Sequence, residues 1–194
     1  MPMDPEHIIN ETRAWVNRAV VGLNLCPFAK AAQAKNQIRC VVSETTDAQG
    51  LLATLCDELR LLHQTDPADV ETTLLVHPAV LTDFFDFNDF QGAVEAAVED
   101  LGLEGVIQVA SFHPQYQFAG TAPDDVGNAT NRSPYPCLHL LREDSIERAI
   151  AAFPEPDAIF EANIRTLEAL GPQGWADLQQ ACRRDADEAR IKKA

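Results

Sequence analysis

The sequence predicts an α/β layered sandwich: a mainly four-stranded mixed sheet with flanking helices and a C-terminal helical extension. Three observations carry this expectation. Four short apolar segments alternate with longer segments whose apolar residues recur at helical spacing. The first three of these strand segments start at even intervals, one strand-plus-helix unit apart. The second and third each stop at a histidine-proline pair, His77-Pro78 and His113-Pro114.

The elements follow in order. Residues from Pro5 to Val21 read as a helix, with Trp15, Ala19 and Gly22 marking one side. The Asn24-Leu25-Cys26-Pro27-Phe28 stretch breaks it, because proline disfavours helix at the residue before it. Ile38 to Ser43 reads as a first strand. Thr46 or Asp47 can cap a helix whose apolar positions are Leu51, Leu52, Leu55, Leu59 and Leu62. Thr72 to Val76 is a second strand. Thr82 is expected to cap a helix running to Leu101, stopped by Gly102, with Phe84, Phe87, Val94, Val98 and Leu101 near one face. Val106 to Phe112 is a third strand.

Pro114 to Pro136 is rich in turn formers, and a loop of that length in a compact domain is often functional. Cys137 to Leu141 reads as a fourth strand. Cys137, His139 and Leu141 lie on one face, and Leu138 and Leu140 on the other. Its direction stays open. Ser145 is expected to cap a short helix to Phe153, and Pro154 and Pro156 to mark a boundary. Two helices then follow, about 157–170 and 175–190, with the strongly charged last one on the outside. The expected division is an α/β domain over residues 1–153 and a helical extension over 154–194 packed on the same domain.

Charge and composition narrow the function. The 194 residues carry a net charge of −15. That argues against unspecific binding of nucleic acid or anionic membrane, since phosphates need Lys and Arg nearby. No apolar run approaches the roughly 18–20 residues of a spanning helix. The N-terminus does not read as a secretory signal, and the expected location is the cytoplasm. The five cysteines are scattered and form no CxxC pair, so no disulfide or zinc framework shows. No glycine-rich phosphate cradle, GxSxG elbow or GxGxxG follows any strand.

The densest group of reactive side chains lies between Ser111 and Glu143. Parallel second and third strands would bring His77 and His113 to the same sheet edge, where α/β sheets commonly bind ligands. His113 is the candidate acid/base, with Tyr116 beside it. Arg132 offers a fork of donors to a carboxylate or phosphate, helped by Asn131, Ser133, Tyr135, Asn128 and His77. Each has a plainer reading. The histidines can bond loop carbonyls, Arg132 can pin its loop, and His139 can be a satisfied core histidine. Asp124 and Asp125 suit a turn. Asp83, Asp86 and Asp89 suit a solvated helix start. Cys26 stands in a turn and is a candidate nucleophile, although the preceding helix C-terminus disfavours its thiolate. Its Cys-Pro-Phe triplet lacks the second cysteine and the preceding strand of a thioredoxin-like site.

Three functions remain open on these residues. The leading one is an enzyme acting on a small anionic molecule in a His/Arg/Asn pocket at the sheet rim. The second is a metal-binding protein or metalloenzyme, with His77, His113 and Cys26 as candidate ligands. The third is a non-enzymatic partner-binding protein. A small-molecule ligand is the expected partner. Neither a cofactor nor an oligomeric state can be read.

The segments GLNLCPFAK, LLVHPAVLTDFFDFNDF, LEGVIQVASFHPQYQFAGT and NATNRSPYPCLHLLRE together resemble one family, domain of unknown function 1415. The resemblance spans about residues 5 to 170. It implies a single-domain, cytosolic bacterial protein and carries over no catalytic residue.

Overall fold

The computed structural model describes residues 4–151 and 157–192. Helix α1 spans Pro5–Trp15, with Asp4 capping it by accepting the Glu6 N–H and Pro5 in its first turn. It continues as a π-helical segment, Val16–Val21. Short helix α2 (Ala29–Ala34) leads to strand β1, Ile38–Val42. Helix α3 (Ala48–Gln64) is capped by Asp47, which accepts the Gly50 N–H at 2.8 Å. Strand β2 is Thr72–Val76, α4 Phe84–Asp89, α5 Gln91–Asp100 and β3 Ile107–Phe112. A 3₁₀ turn, Val126–Asn131, precedes β4, Cys137–Arg142. Helices α6 (Glu143–Ala151) and α7 (Asp157–Ile191) end the described chain.

The four strands form one mixed sheet in the order β1-β2-β4-β3. β1 runs parallel to β2, while β4 lies between β2 and β3 and is antiparallel to both. β1, β2 and β3 therefore all point one way, and their C-terminal ends share an edge. This resolves the open direction of the fourth strand.

Strand alternation sorts the side chains onto two faces. On one face Leu75, Leu138, Leu140 and Ile107 meet Leu51, Leu55, Leu59 and Leu62 of α3, together with Phe87 and Val94. On the other, Leu74, Val76 and Cys137 meet Ile8 and Trp15 of α1 and Leu167, Trp175 and Cys182 of α7. Arg39 of β1 holds buried Glu58 of α3 with two 2.9 Å bonds.

Several expectations need correction. Asp83, rather than Thr82, caps the helix after β2, accepting the Phe85 and Asp86 N–H groups. That helix is two, α4 and α5, with a break at Phe90. β4 passes straight into α6, so Ser145 lies inside α6 rather than at its cap. The helix end at Phe153 and the boundary at Pro154 and Pro156 lie outside the described residues. The two expected C-terminal helices are present within α7, meeting at a kink at Gly171, where φ is 70°. Its last part is not simply an outer helix: Trp175, Cys182 and Ala186 are buried.

Candidate functional site

The His-Pro ends of β2 and β3 do bring His77 and His113 to the same sheet edge, and both are fully buried. Phe87 of α4 packs between them, with ring centroids 5.6 Å from His77 and 5.1 Å from His113. Three of their four ring nitrogens face main chain. The Gln115 N–H donates to His113 Nδ1 at 3.0 Å, so the His113 proton sits on Nε2 and is directed at the Leu81 carbonyl, 3.3 Å away. His77 Nδ1 donates to the Val80 carbonyl at 2.9 Å, and its Nε2 is buried without a partner. Burial pushes the His77 pKa down to about 4 and lowers that of His113, keeping both rings neutral. The pair thus holds the turn after β2, where Leu81 adopts φ 55°, a left-handed conformation that costs a leucine roughly 1–2 kcal/mol.

The loop from Pro114 to Pro136 is ordered by its own polar residues. Arg132 donates from Nε to the Tyr116 carbonyl and from Nη2 to the Pro123 carbonyl. Asn128 accepts from the Phe118 N–H and the Thr121 hydroxyl and donates to the Ala122 carbonyl. Asn131 donates to the Ser111 carbonyl, and Ser133 to that of Tyr135. Asp125 caps the 3₁₀ turn through the Gly127 N–H. Tyr116 packs on Phe84 and Phe118.

Three of the predicted residues do meet in a cavity. Arg132, Ser133 and Tyr135 line a polar space of about 390 Å³ between this loop, α1 and α7. α1 contributes Glu11 and Trp15, and α7 contributes Trp175, Gln179 and Arg183. The Tyr135 hydroxyl donates to Glu11 Oε2 at 2.6 Å. Arg183 Nε lies 3.6 Å from Glu11 Oε1, and His7 Nε2 is 3.8 Å from Oε2. Burial and the adjacent Glu11 carboxylate raise the Tyr135 pKa, so the phenol keeps its proton. The Trp175 indole N–H is buried without a partner.

His113 is tied to this cavity through main chain. Its N–H donates to the Asn131 carbonyl, and the next residue, Pro114, is part of the wall. Cys26 lies elsewhere. It lines a second cavity, on the sheet face covered by α1, away from Phe87 and the histidine pair. It is partly buried, and burial pushes its thiol up while the Ala29 and Phe28 N–H groups draw it down. Among the described residues, no three His, Cys, Asp or Glu side chains come together as metal ligands. Nor is any helix among them long and apolar enough to cross a membrane.

Sequence reasoning missed Glu11, Trp175 and Arg183. Trp175, Leu178 and Cys182 recur at helical spacing, a stripe that marks an inward face within a charged helix. Glu11 gave no comparable signal, since an acid inside an amphipathic helix is ordinarily solvated.

No curated protein and no solved structure matches the chain. A family model described as "Protein of unknown function (DUF1415)" matches residues 7–177. That match takes in β1 to β4, the loop, the walls from α1 and the first turns of α7 up to Trp175, so the chain belongs to the DUF1415 family.

Proposed function

We propose that the protein binds a small organic anion in the polar cavity and that the Glu11–Tyr135 pair manages a proton on it. The observation that carries this is a cavity lined by Arg132, Arg183 and Trp175, whose indole N–H is buried without a partner, together with the buried Glu11 carboxylate that Arg183 approaches to 3.6 Å. Glu11 faces Arg183 and the Asp125 charge acts on Arg132, so both cations are held in place in a chain whose net charge is −15. The two bonds of Arg132 use Nε and Nη2, so Nη1 is left for a ligand oxygen. Anions bind best where such donors are fixed before the ligand arrives, and the loop carbonyls fix this guanidinium. A carboxylate hydrogen-bonded to a phenol is a suitable relay for general acid–base chemistry. In this reading His77 and His113 brace the cavity wall rather than react.

Titration calorimetry with succinate, citrate and inorganic phosphate tests the proposal. At least one should bind with one-to-one stoichiometry. Losing a charged hydrogen bond should then weaken it about tenfold to a hundredfold in Arg132→Gln and in Arg183→Gln. Arg183 is largely exposed, so its variant separates ligand binding from any disturbance of the fold. Absence of binding by all three probes, or unchanged affinity in both variants, overturns the reading.

A further inference from the structure

The second cavity has a different chemistry. It holds about 460 Å³ on the sheet face toward α1, within the range of roughly 300–1,000 Å³ typical of ligand pockets. Trp15, Val20, Phe28, Ile38, Leu74 and Phe112 make apolar walls. Helix α6 closes one side with Ile146 and Ala149. None of its residues is fully buried, and Ile146 and Ala149 are partly covered.

The polar lining includes three basic residues, Lys35, Arg142 and Arg148. Lys35 and Arg148 are exposed. Arg142 gives its Nη2 to the Leu62, Thr65 and Val70 carbonyls, and its Nε–H is buried without a partner. Among the described residues Glu71 is the one acid of the lining, and its charge and that of Asp66 act on Arg142. His139 bonds Thr72 and is neutral. Arg142 turns its guanidinium to the α3 side of the sheet and is offset by Glu71 and Asp66, so Lys35 and Arg148 supply the positive charge at the rim of this apolar space. Apolar walls favour a hydrocarbon body, and the cations favour a negative head.

We infer that this cavity is a second ligand site, separate from the polar one, for a free medium-chain fatty carboxylate or a molecule of the same amphipathic form. The chain has two tryptophans, Trp15 and Trp175. Trp15 borders both cavities, whereas Trp175 borders the polar one alone of the two. Bromine on a bound chain quenches a tryptophan it touches, so the two reporters locate the ligand.

The probe is 12-bromododecanoate below its micelle concentration. In Trp175→Phe protein, the remaining Trp15 should be quenched saturably. In Trp15→Phe protein, Trp175 should not be. The neutral 12-bromododecanol, and the carboxylate on Lys35→Glu/Arg148→Glu protein, should each bind about tenfold more weakly. Both reversed residues are exposed, so the fold is not at stake. Absence of saturable Trp15 quenching overturns the proposal, and so does quenching of Trp175. Equal affinity for the alcohol, or no loss on charge reversal, overturns it as well. These outcomes are independent of the calorimetric test above, which reads other ligands and other arginines.

Discussion

His77 illustrates how a single side chain is fixed by its burial rather than by its chemistry. Its Nδ1 proton is spent on the Val80 carbonyl, its ring lies on Phe87, and Nε2 meets no partner. A histidine in the unfolded chain takes up its proton near pH 6.5, whereas buried His77 does so only near pH 4. Between those values the unfolded state binds more protons, so stability is full above about pH 6.5 and is lost as pH falls toward 4. At about 1.4 kcal/mol per unit, His77 alone accounts for about 3 kcal/mol. His139, whose pKa is likewise lowered to about 4 by burial, adds to the loss over the same pH range. Urea denaturation at pH 7.5, 6 and 4.5 should show this decline, and the slope should flatten in His77→Phe. The histidine-proline pairs and their shared edge were legible in the residues. Their hydrogen-bond partners were not, because carbonyls of a turn leave no mark on composition. Arg132 is instructive in the same way. The plain reading, a loop pin, is what its Nε and Nη2 bonds to the Tyr116 and Pro123 carbonyls show.

Elements were legible where a pattern is periodic. Leu51, Leu55, Leu59 and Leu62 place α3 on the sheet, and all four are fully buried. Boundaries were less so. Thr82 and Asp83 are both good capping residues, and only the geometry shows that the Asp83 carboxylate reaches two N–H groups. The charged composition of α7 masked its inner stripe, because charge on the outer face outweighs a few apolar residues in any average. The Gly171-Pro172 break within α7 was legible as a turn, yet the helix resumes at once. Gly171 has φ 70° and ψ 171°, a region open essentially to glycine alone. Gly171→Ala should therefore cost about 1–3 kcal/mol in thermal or urea unfolding, although a Cβ there would meet no other atom within 4 Å. An unchanged midpoint would show that the break relaxes freely.

At the scale of the molecule, the layered α/β fold followed from the alternation of strands and helices. The strand order did not, since nothing in the residues of β4 says which neighbours it will take. The relation of the C-terminal helix to the rest also required three dimensions. Leu167, Trp175 and Cys182 share one apolar cluster with Trp15, Leu74 and Val76. Arg18 of the π-helical segment grips Asp185 of α7 through two bonds of 2.6 and 2.8 Å. We predict that a chain ending at residue 156 loses cooperative unfolding and exposes apolar surface to a dye, because the sheet face and α1 would lose the apolar cover of α7. A sharp melting transition in that shortened chain would count against the shared core. The polar cavity should vanish with it, as its α7 wall carries Trp175 and Arg183.

The position of β4 has a consequence for how the chain comes to be folded. The strand that joins β2 to β3 is the last one in sequence, and its Leu138 and Leu140 are completely buried between the two. During synthesis, β1 and β2 can pair as soon as both have left the ribosome, but β3 must wait without a neighbour until β4 arrives. The sheet is therefore completed by insertion of a keystone rather than by growth at an edge. Its closing step joins residues distant in the chain, the class of contact that slows folding.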